Sequence, residues 1–149
     1  MSISSAAAAR YLCTISDWTI PNLDLQKRLY LANMLHLGRH GAPLVDEAFE
    51  ATLFGPLLPR LFARLSMFAT LPVGNVLSDE PLLPDGTEKT ILDEVRAQAG
   101  SASGAALVAM TQSEDGAWAR HFATGGDPAR GAAIPDADII AEYRLRITP

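Results

Sequence analysis

The stretch NLDLQKRLYLANMLHLGRHGAPLVDEAFEATLFGP, residues 22–56, decides the fold because a strongly helical pattern runs into a segment with the period of a strand. Four residues of its first half share one stripe of a helix: Leu25, Leu29, Ala32 and His36. Further apolar residues widen that stripe beyond half of the helix surface. The pattern predicts a central helix over 23–39 that packs against neighbours on more than one side.

The ends of this helix have clear signals. Pro21 ends any preceding helix, and Asn22 is the expected N-cap of the next one. Gly38 or Gly41 is expected to end the helix, because glycine adopts the left-handed conformation of a helix C-terminus at low cost. Pro43 forbids continuation.

The second half of the stretch alternates in hydrophobicity. Phe49, Ala51 and Leu53 fall on one side of an extended chain, which predicts a short strand or extended element around residues 49–54. A short helix competes, because Glu and Ala favour helices. Gly55-Pro56 marks a corner, and Pro56 is expected to open the next helix, PLLPRLFARLSMF.

The rest of the chain predicts further helices separated by loops. They are SSAAAARYLCTIS with Ser4 or Ser5 as N-cap, DGTEKTILDEVRAQAG with an Asp85–Glu88 capping box, SASGAALVAMTQ with Ser103 near its start, AWARHF, and ADIIAEYRLRI capped by Asp136. Residues 69–86 and 123–135 are expected to be loops. The predicted fold is mainly α: a single compact helical domain, residues 1–149, with a short extended or β element around residues 49–54.

Composition and charge narrow the function classes. With 48% hydrophobic and 19% charged residues the chain is globular, and its net charge of −5 argues against a nucleic-acid-binding protein. A local basic strip stays open, formed by Arg10, Arg60, Arg64 and Lys27-Arg28. No window approaches the roughly 18 apolar residues of a membrane span, and no basic signal region opens the chain. A cytoplasmic protein is therefore expected, with Cys13 buried and structural.

Catalytic and metal-binding patterns are weak. His36 and His40 have the i, i+4 spacing of paired metal ligands, but the sequence offers no third ligand beside them and no glutamate base between them. No G-x-S-x-G elbow or P-loop is present. We expect no metal, no cofactor and no enzyme activity. A small hydrolase that uses His36 or His121 with a nearby carboxylate remains as an alternative.

Two features rise above this background. Trp18 and Trp118 border loops, where a large aromatic side chain either closes the edge of the core, the favoured interpretation, or anchors a partner. A polar strip of Asn22, Gln26, Lys27 and Tyr30 runs along the central helix and is either a solvent-facing edge or an interface. We expect Gln26 and Tyr30 to hold this helix against EATLFGP, and Lys27 to be more exposed.

At these residues the chain resembles the SocA-like antitoxin family, whose shared unit is the Panacea domain. The resemblance begins in TIPNLDLQKRLYLANMLHLGRHGAPLVDEAFEATLFGPLLPRLF, continues in TILDEVRAQAGSASGAALVAMTQSEDGAWAR and ends in IPDADIIAEY. Its candidates for partner binding or for the family pattern are Gln26, Lys27, Tyr30, Glu50, Gly55, Pro56, Glu114 and Trp118. The chain departs from that pattern at Asp24, Thr52, Gln112 and Ala117, where the family usually has Lys, Trp, His and Pro.

The resemblance implies an antitoxin of a bacterial or phage toxin–antitoxin system. Such a protein neutralises a cognate protein toxin by direct binding, and some relatives also deliver the toxin to a ClpXP-type protease. The resemblance implies no catalytic activity and leaves a homodimer open. The alternative within binding proteins is a phage or mobile-element protein that uses the same fold to bind a host factor.

Overall fold

The computed structural model describes residues 2–124 and 131–147 of the chain. This part of the chain contains seven α-helices and one small antiparallel sheet, so the predicted mainly α fold is confirmed. The elements are α1 (Ser5–Ile15), α2 (Asn22–His40), β1 (Glu50–Thr52), β2 (Gly55–Leu57), α3 (Pro59–Arg64), a 3-10 turn (Ser66–Phe68), α4 (Thr87–Ala99), α5 (Gly104–Thr111), α6 (Ala117–Thr124), β3 (Ala132–Ala133) and α7 (Asp136–Ile147).

Helix α2 is the centre of the fold, as its wide apolar stripe predicts. It packs against α1, α3, α4, α5, α7 and strand β2. Leu25, Leu29 and Ala32 are fully buried along it. Burial of apolar side chains on several sides of one helix is the main stabilising term that joins these elements into one core.

The ends of α2 differ in part from the prediction. Asn22 is not the N-cap: that position is Pro21, and Asn22 is the first helical residue. The amide of Asn22 is buried and donates to the carbonyl of Phe62 at 3.1 Å, so it ties α2 to α3 instead of capping a helix. Gly41 ends the helix with φ +70°, whereas Gly38 lies inside it, where the ring of Tyr143 leaves no room for a Cβ atom.

The extended segment is a β-hairpin. Strand β1 pairs antiparallel with β2 (Thr52 opposite Gly55, Ala51 opposite Pro56) and, on its other side, with β3. Pro56 therefore lies in an edge strand, where the missing N–H of proline is tolerated, and the prediction that it opens a helix is wrong. The helix starts at Pro59. Leu53, predicted to share one side of the extended chain with the buried Ala51, lies exposed in the turn.

The other helix starts are mixed in outcome. The Ser4 hydroxyl accepts from Ala7 N at 3.0 Å, so Ser4 is the N-cap of the two serines predicted. The Ser103 hydroxyl accepts from Ala106 N at 3.1 Å, so the serine expected near the start of α5 is its N-cap. The capping box at Asp85 is wrong: the N-cap of α4 is Gly86, and the Asp85 carboxylate accepts from Lys89 Nζ instead. Helix α7 begins at Asp136, so Asp136 lies inside it.

The first predicted loop and the lone cysteine agree with the sequence, and the second predicted loop does so only in part, because α6 extends to Thr124. Residues 69–86 contain no helix and no strand of the sheet. In the loop predicted over 123–135, residues 125–130 lie outside the described residues, and Ala132–Ala133 form β3. Cys13 is fully buried, and burial raises the pKa of its thiol to about 12, so it remains a protonated core residue at neutral pH.

Candidate functional site

The hairpin β1–β2 is held from below by side chains of α2. Gln26 is fully buried; its Oε1 accepts from Leu58 N at 2.8 Å and its Nε2 donates to Asn22 Oδ1 at 3.1 Å. Asn22 and Gln26 are four residues apart and therefore share one face of the helix. Both ends of the Gln26 amide are thus committed to the fold, at the point where the chain leaves β2.

Lys27 makes the second contact from α2. We expected this side chain to be exposed, but it is buried. Its side chain is only 4% exposed, and Nζ donates to the carbonyl of Phe54 in the hairpin turn at 2.9 Å. Burial lowers the pKa of this ammonium, and the nearby charge of Asp24 partly opposes that effect. Lys27 therefore reaches under the hairpin and fixes the turn.

Gly55 lets the lysine and a neighbouring loop come this close. Its φ is +105°, in the region that favours glycine. A Cβ atom at this position would lie 2.7 Å from Gln112 Oε1 and 3.4 Å from Lys27 Cε. Among the described residues, Gln112 Oε1 is buried without a hydrogen-bond partner. The end of α5 thus presses on the hairpin at the residue that follows its turn.

Trp118 holds the hairpin from the other side. Its indole Nε1 donates to Thr52 O at 2.8 Å, and its ring stacks on Phe122 with centroids 4.8 Å apart. The Thr52 hydroxyl accepts from Phe54 N at 3.1 Å and donates to Gly55 O at 2.9 Å, which closes the turn. We call Gln26, Lys27 and Trp118 the hairpin clamp, since each hydrogen-bonds the backbone in or beside the hairpin.

Tyr30 joins α2 to α7 through a buried carboxylate. Its hydroxyl donates to Glu142 Oε1 at 2.7 Å, and Ala117 N donates to the same oxygen at 3.0 Å. Arg146 donates to Glu142 Oε2 at 2.6 Å. Burial, followed by the Glu142 charge, raises the pKa of Tyr30, so the hydroxyl stays protonated. Tyr30 also meets the ring of Phe49 edge-on at 5.2 Å, just before β1.

Sequence reasoning missed Glu142. A single glutamate in an amphipathic helix is usually solvent-exposed, and no spacing distinguished this one. The available signal was its position three residues after Ile139 and one before Tyr143, on the edge of the narrow apolar stripe. Its three donors come from α2, α6 and α7, so the carboxylate links all three helices.

Most predicted site residues support the hairpin and do not face solvent. The buried ones are Gln26, Lys27, Tyr30, Gly55 and Pro56. Trp118 and Glu50 are half-buried, and Glu114 is exposed in the turn between α5 and α6. The residues that do face solvent here are Leu53 and Phe54, 60% and 55% exposed at the hairpin tip, and the sequence reading did not single them out.

The histidines occupy structural positions. His36 is buried, with Nδ1 2.6 Å from Ala42 O and Nε2 2.9 Å from Thr87 Oγ1, so both ring nitrogens are occupied. His121 Nε2 lies 2.5 Å from Asp138 Oδ2 and joins α6 to α7; this bond lowers the pKa of Asp138. Within residues 2–124 and 131–147 no three His, Cys, Asp or Glu side chains are placed to hold a metal ion.

The basic strip that the sequence left open forms only in part: Arg10 and Arg64 meet at Glu80, whereas Lys27 and Arg28 lie elsewhere. Arg10 donates to the carbonyl of Glu80, and Arg64 donates to Glu80 Oε2 at 2.9 Å. Lys27 and Arg28 are buried elsewhere, against the hairpin and the end of α4 respectively. Trp18, the other loop-bordering aromatic residue, is half-buried and packs against the core.

The chain matches a known family. The family model described as antitoxin SocA-like, Panacea domain, matches residues 25–119, more than half of the chain and all eight predicted site residues. No curated protein and no solved structure matches the chain. None of the helices in the described ranges is long and apolar enough to span a membrane.

Proposed function

Because the chain belongs to the SocA-like antitoxin family with its Panacea domain, we propose that it neutralises a cognate protein toxin by direct binding. The observation that carries the proposal is the family match, which includes the hairpin clamp and the hairpin itself. A cytoplasmic location and the absence of enzyme activity are parts of the same proposal. The net charge of −5 favours a basic toxin, since opposite charges speed association.

The geometry supports a binding role more readily than a hydrolytic one. Residues shared with the family form hydrogen bonds within the fold: Gln26 with Leu58 N and Lys27 with Phe54 O. His36 has both ring nitrogens engaged and offers no free base. What these contacts hold in place is a short hairpin with an apolar tip, which suits contact with another protein.

Co-expression tests the proposal. The product of the open reading frame beside this protein's gene should arrest growth when expressed alone, and should not do so when this protein is expressed with it. The two proteins should also elute together from a size-exclusion column. A neighbouring product that is harmless alone, or that remains toxic and unbound in the presence of this protein, would contradict the antitoxin role and favour a host-factor-binding protein.

Delivery of the toxin to a ClpXP-type protease is a further step that the family resemblance implies for this chain. It predicts that the half-life of the toxin shortens when this protein is present and ClpX is active. The half-life should return to its basal value when ClpX is deleted. An unchanged half-life in both strains would limit the role to neutralisation by binding alone. Light scattering of the free protein would test the homodimer that the sequence left open.

A further inference from the structure

The tip of the hairpin is unusual for a surface turn. Turns favour Gly, Asn, Asp and Ser, whereas this one consists of Leu53 and Phe54. Both side chains are more than half exposed, so neither contributes much to the core. Two large adjacent apolar side chains in solvent therefore stabilise neither the turn nor the fold, and their position needs another explanation.

The fold holds this tip rigidly. A buried lysine bonds the carbonyl of Phe54, and the Trp118 indole bonds the carbonyl of Thr52. Burying an ammonium group is costly unless it is hydrogen-bonded, so a loose turn above Lys27 would be unfavourable. A rigid apolar tip loses little conformational entropy when it docks, which is how preorganised anchors gain affinity.

Exposed acidic residues lie on a turn beside the hairpin. The turn 113–116 connects Gln112, whose side chain presses on Gly55, to the helix that carries Trp118; it contains the exposed Glu114 and Asp115. Asp24, on the first turn of α2, is close enough to Lys27 to affect the pKa of its ammonium. Lys27, the cation that reaches the turn, is committed to the carbonyl of Phe54.

We infer that Leu53 and Phe54 form the docking tip of this protein, and that the partner presents an apolar pocket bordered by Lys or Arg side chains. The inference rests on the proposed function and assigns it a surface: the toxin receives the tip, and its basic rim faces Glu114 and Asp115. Charge complementarity selects this partner, because exposed acidic residues lie on the turn beside the hairpin and the whole chain is acidic.

Calorimetric titration of the neighbouring gene product with two double variants tests the inference. Leu53→Asp with Phe54→Asp should raise the dissociation constant by at least about 30-fold, the loss of affinity expected when central apolar anchors are removed. The matched control is Met67→Asp with Leu71→Asp, which changes two side chains of similar exposure, 69% and 67%, outside the hairpin. The control should bind within about 3-fold of wild type.

The outcomes distinguish a failure of the docking tip from a failure of the antitoxin role. Wild-type affinity in the folded hairpin variant would overturn the docking tip and leave the antitoxin role intact, whereas no binding by the wild-type protein would overturn both. If the double variant fails to fold, Phe54→Ala adds no charge and should still lose about 10-fold in affinity. Glu114→Lys with Asp115→Lys should slow association at low salt, and an unchanged rate would contradict the basic rim.

Discussion

At the scale of single residues, Lys27 shows how a buried cation can organise a backbone turn. Its four-carbon stem runs between α2 and Gly55, and its ammonium reaches the carbonyl of Phe54. Removing the charge relieves the desolvation cost and removes one hydrogen bond at the same time, so the two effects on stability oppose each other. The net role of Lys27 is therefore geometric.

Replacing Lys27 with Met keeps the stem and removes this bond. We expect the free energy of unfolding to change by no more than about 1 kcal/mol, because the two effects offset each other. Amide hydrogen exchange between residues 52 and 57 should accelerate, because the turn loses its anchor. Arg28→Met is the control, since Arg28 bonds the carbonyls of Ala99 and Ala102, away from the hairpin. Unchanged exchange in Lys27→Met would show that the ammonium does not hold the turn.

Tyr30 supports the fold through both its ring and its hydroxyl. Tyr30→Phe should lower the free energy of unfolding by about 1.5–3 kcal/mol, because the buried Glu142 carboxylate loses a donor. Tyr30→Ala should cost about 3–5 kcal/mol, because it also leaves a cavity beside Phe49. Urea denaturation of the three proteins measures both steps. A loss below about 0.5 kcal/mol for Tyr30→Ala, together with lost partner binding, would make Tyr30 an interface residue instead.

The sequence identified most of these residues, but it did not predict their burial or their partners. The i, i+4 spacing of Gln26 and Tyr30 was visible. Gln26 holds α2 to the end of the hairpin as expected, whereas the Tyr30 hydroxyl bonds Glu142 of α7 and not EATLFGP. The burial of Lys27 was not predictable from α2 alone, because it depends on a hairpin carbonyl distant in sequence. Glu142 was missed for the same reason: two of its donors come from other helices.

At the scale of elements, the hairpin depends on Gly55 for two separate reasons. Its positive φ is strained for any residue with a Cβ atom, and a Cβ atom would also collide with the side chain of Gln112. Gly41, at the end of α2, has only the first constraint: its φ is +70°, and no atom lies within 4 Å of a Cβ built there. A comparison of the two glycines therefore distinguishes the cost of backbone strain from the cost of close packing.

Alanine substitution at these two positions tests that separation. Gly41→Ala should lower the free energy of unfolding by about 1–2 kcal/mol, the cost of the left-handed conformation. Gly55→Ala should cost about 1–3 kcal/mol more, because Gln112 and the hairpin must move apart. Thermal or urea unfolding of the two variants gives the difference. Equal losses would show that α5 does not press on the hairpin.

The hairpin also shows what the hydrophobic pattern of the sequence could not predict. Alternating hydrophobicity correctly predicted an extended segment, but Gly55-Pro56 was read as a corner followed by a helix. Proline is compatible with a first helical turn and with an edge strand, and its sequence neighbours do not distinguish the two. Pairing of Pro56 with Ala51 decides it, and side chains of α2 and α6 hydrogen-bond the backbone on either side of that pair.

At the scale of the whole molecule, a central helix surrounded by its neighbours presents one short hairpin at the surface. The mainly α class and the many-sided packing of α2 were predictable, since both follow from periodicity. The exposed tip was not, because alternation alone would bury one of two adjacent apolar residues. The family resemblance identified the residues beneath the tip, and the structure shows what they hold.

Growth rescue tests the central claim most directly. Cells that express the toxic product of the neighbouring reading frame should resume growth with the wild-type protein and with Met67→Asp/Leu71→Asp. They should remain arrested with Leu53→Asp/Phe54→Asp at equal protein level, because the toxin loses the hairpin tip. No rescue by the wild-type protein would contradict the antitoxin role, and equal rescue by all three proteins would contradict the role of the tip.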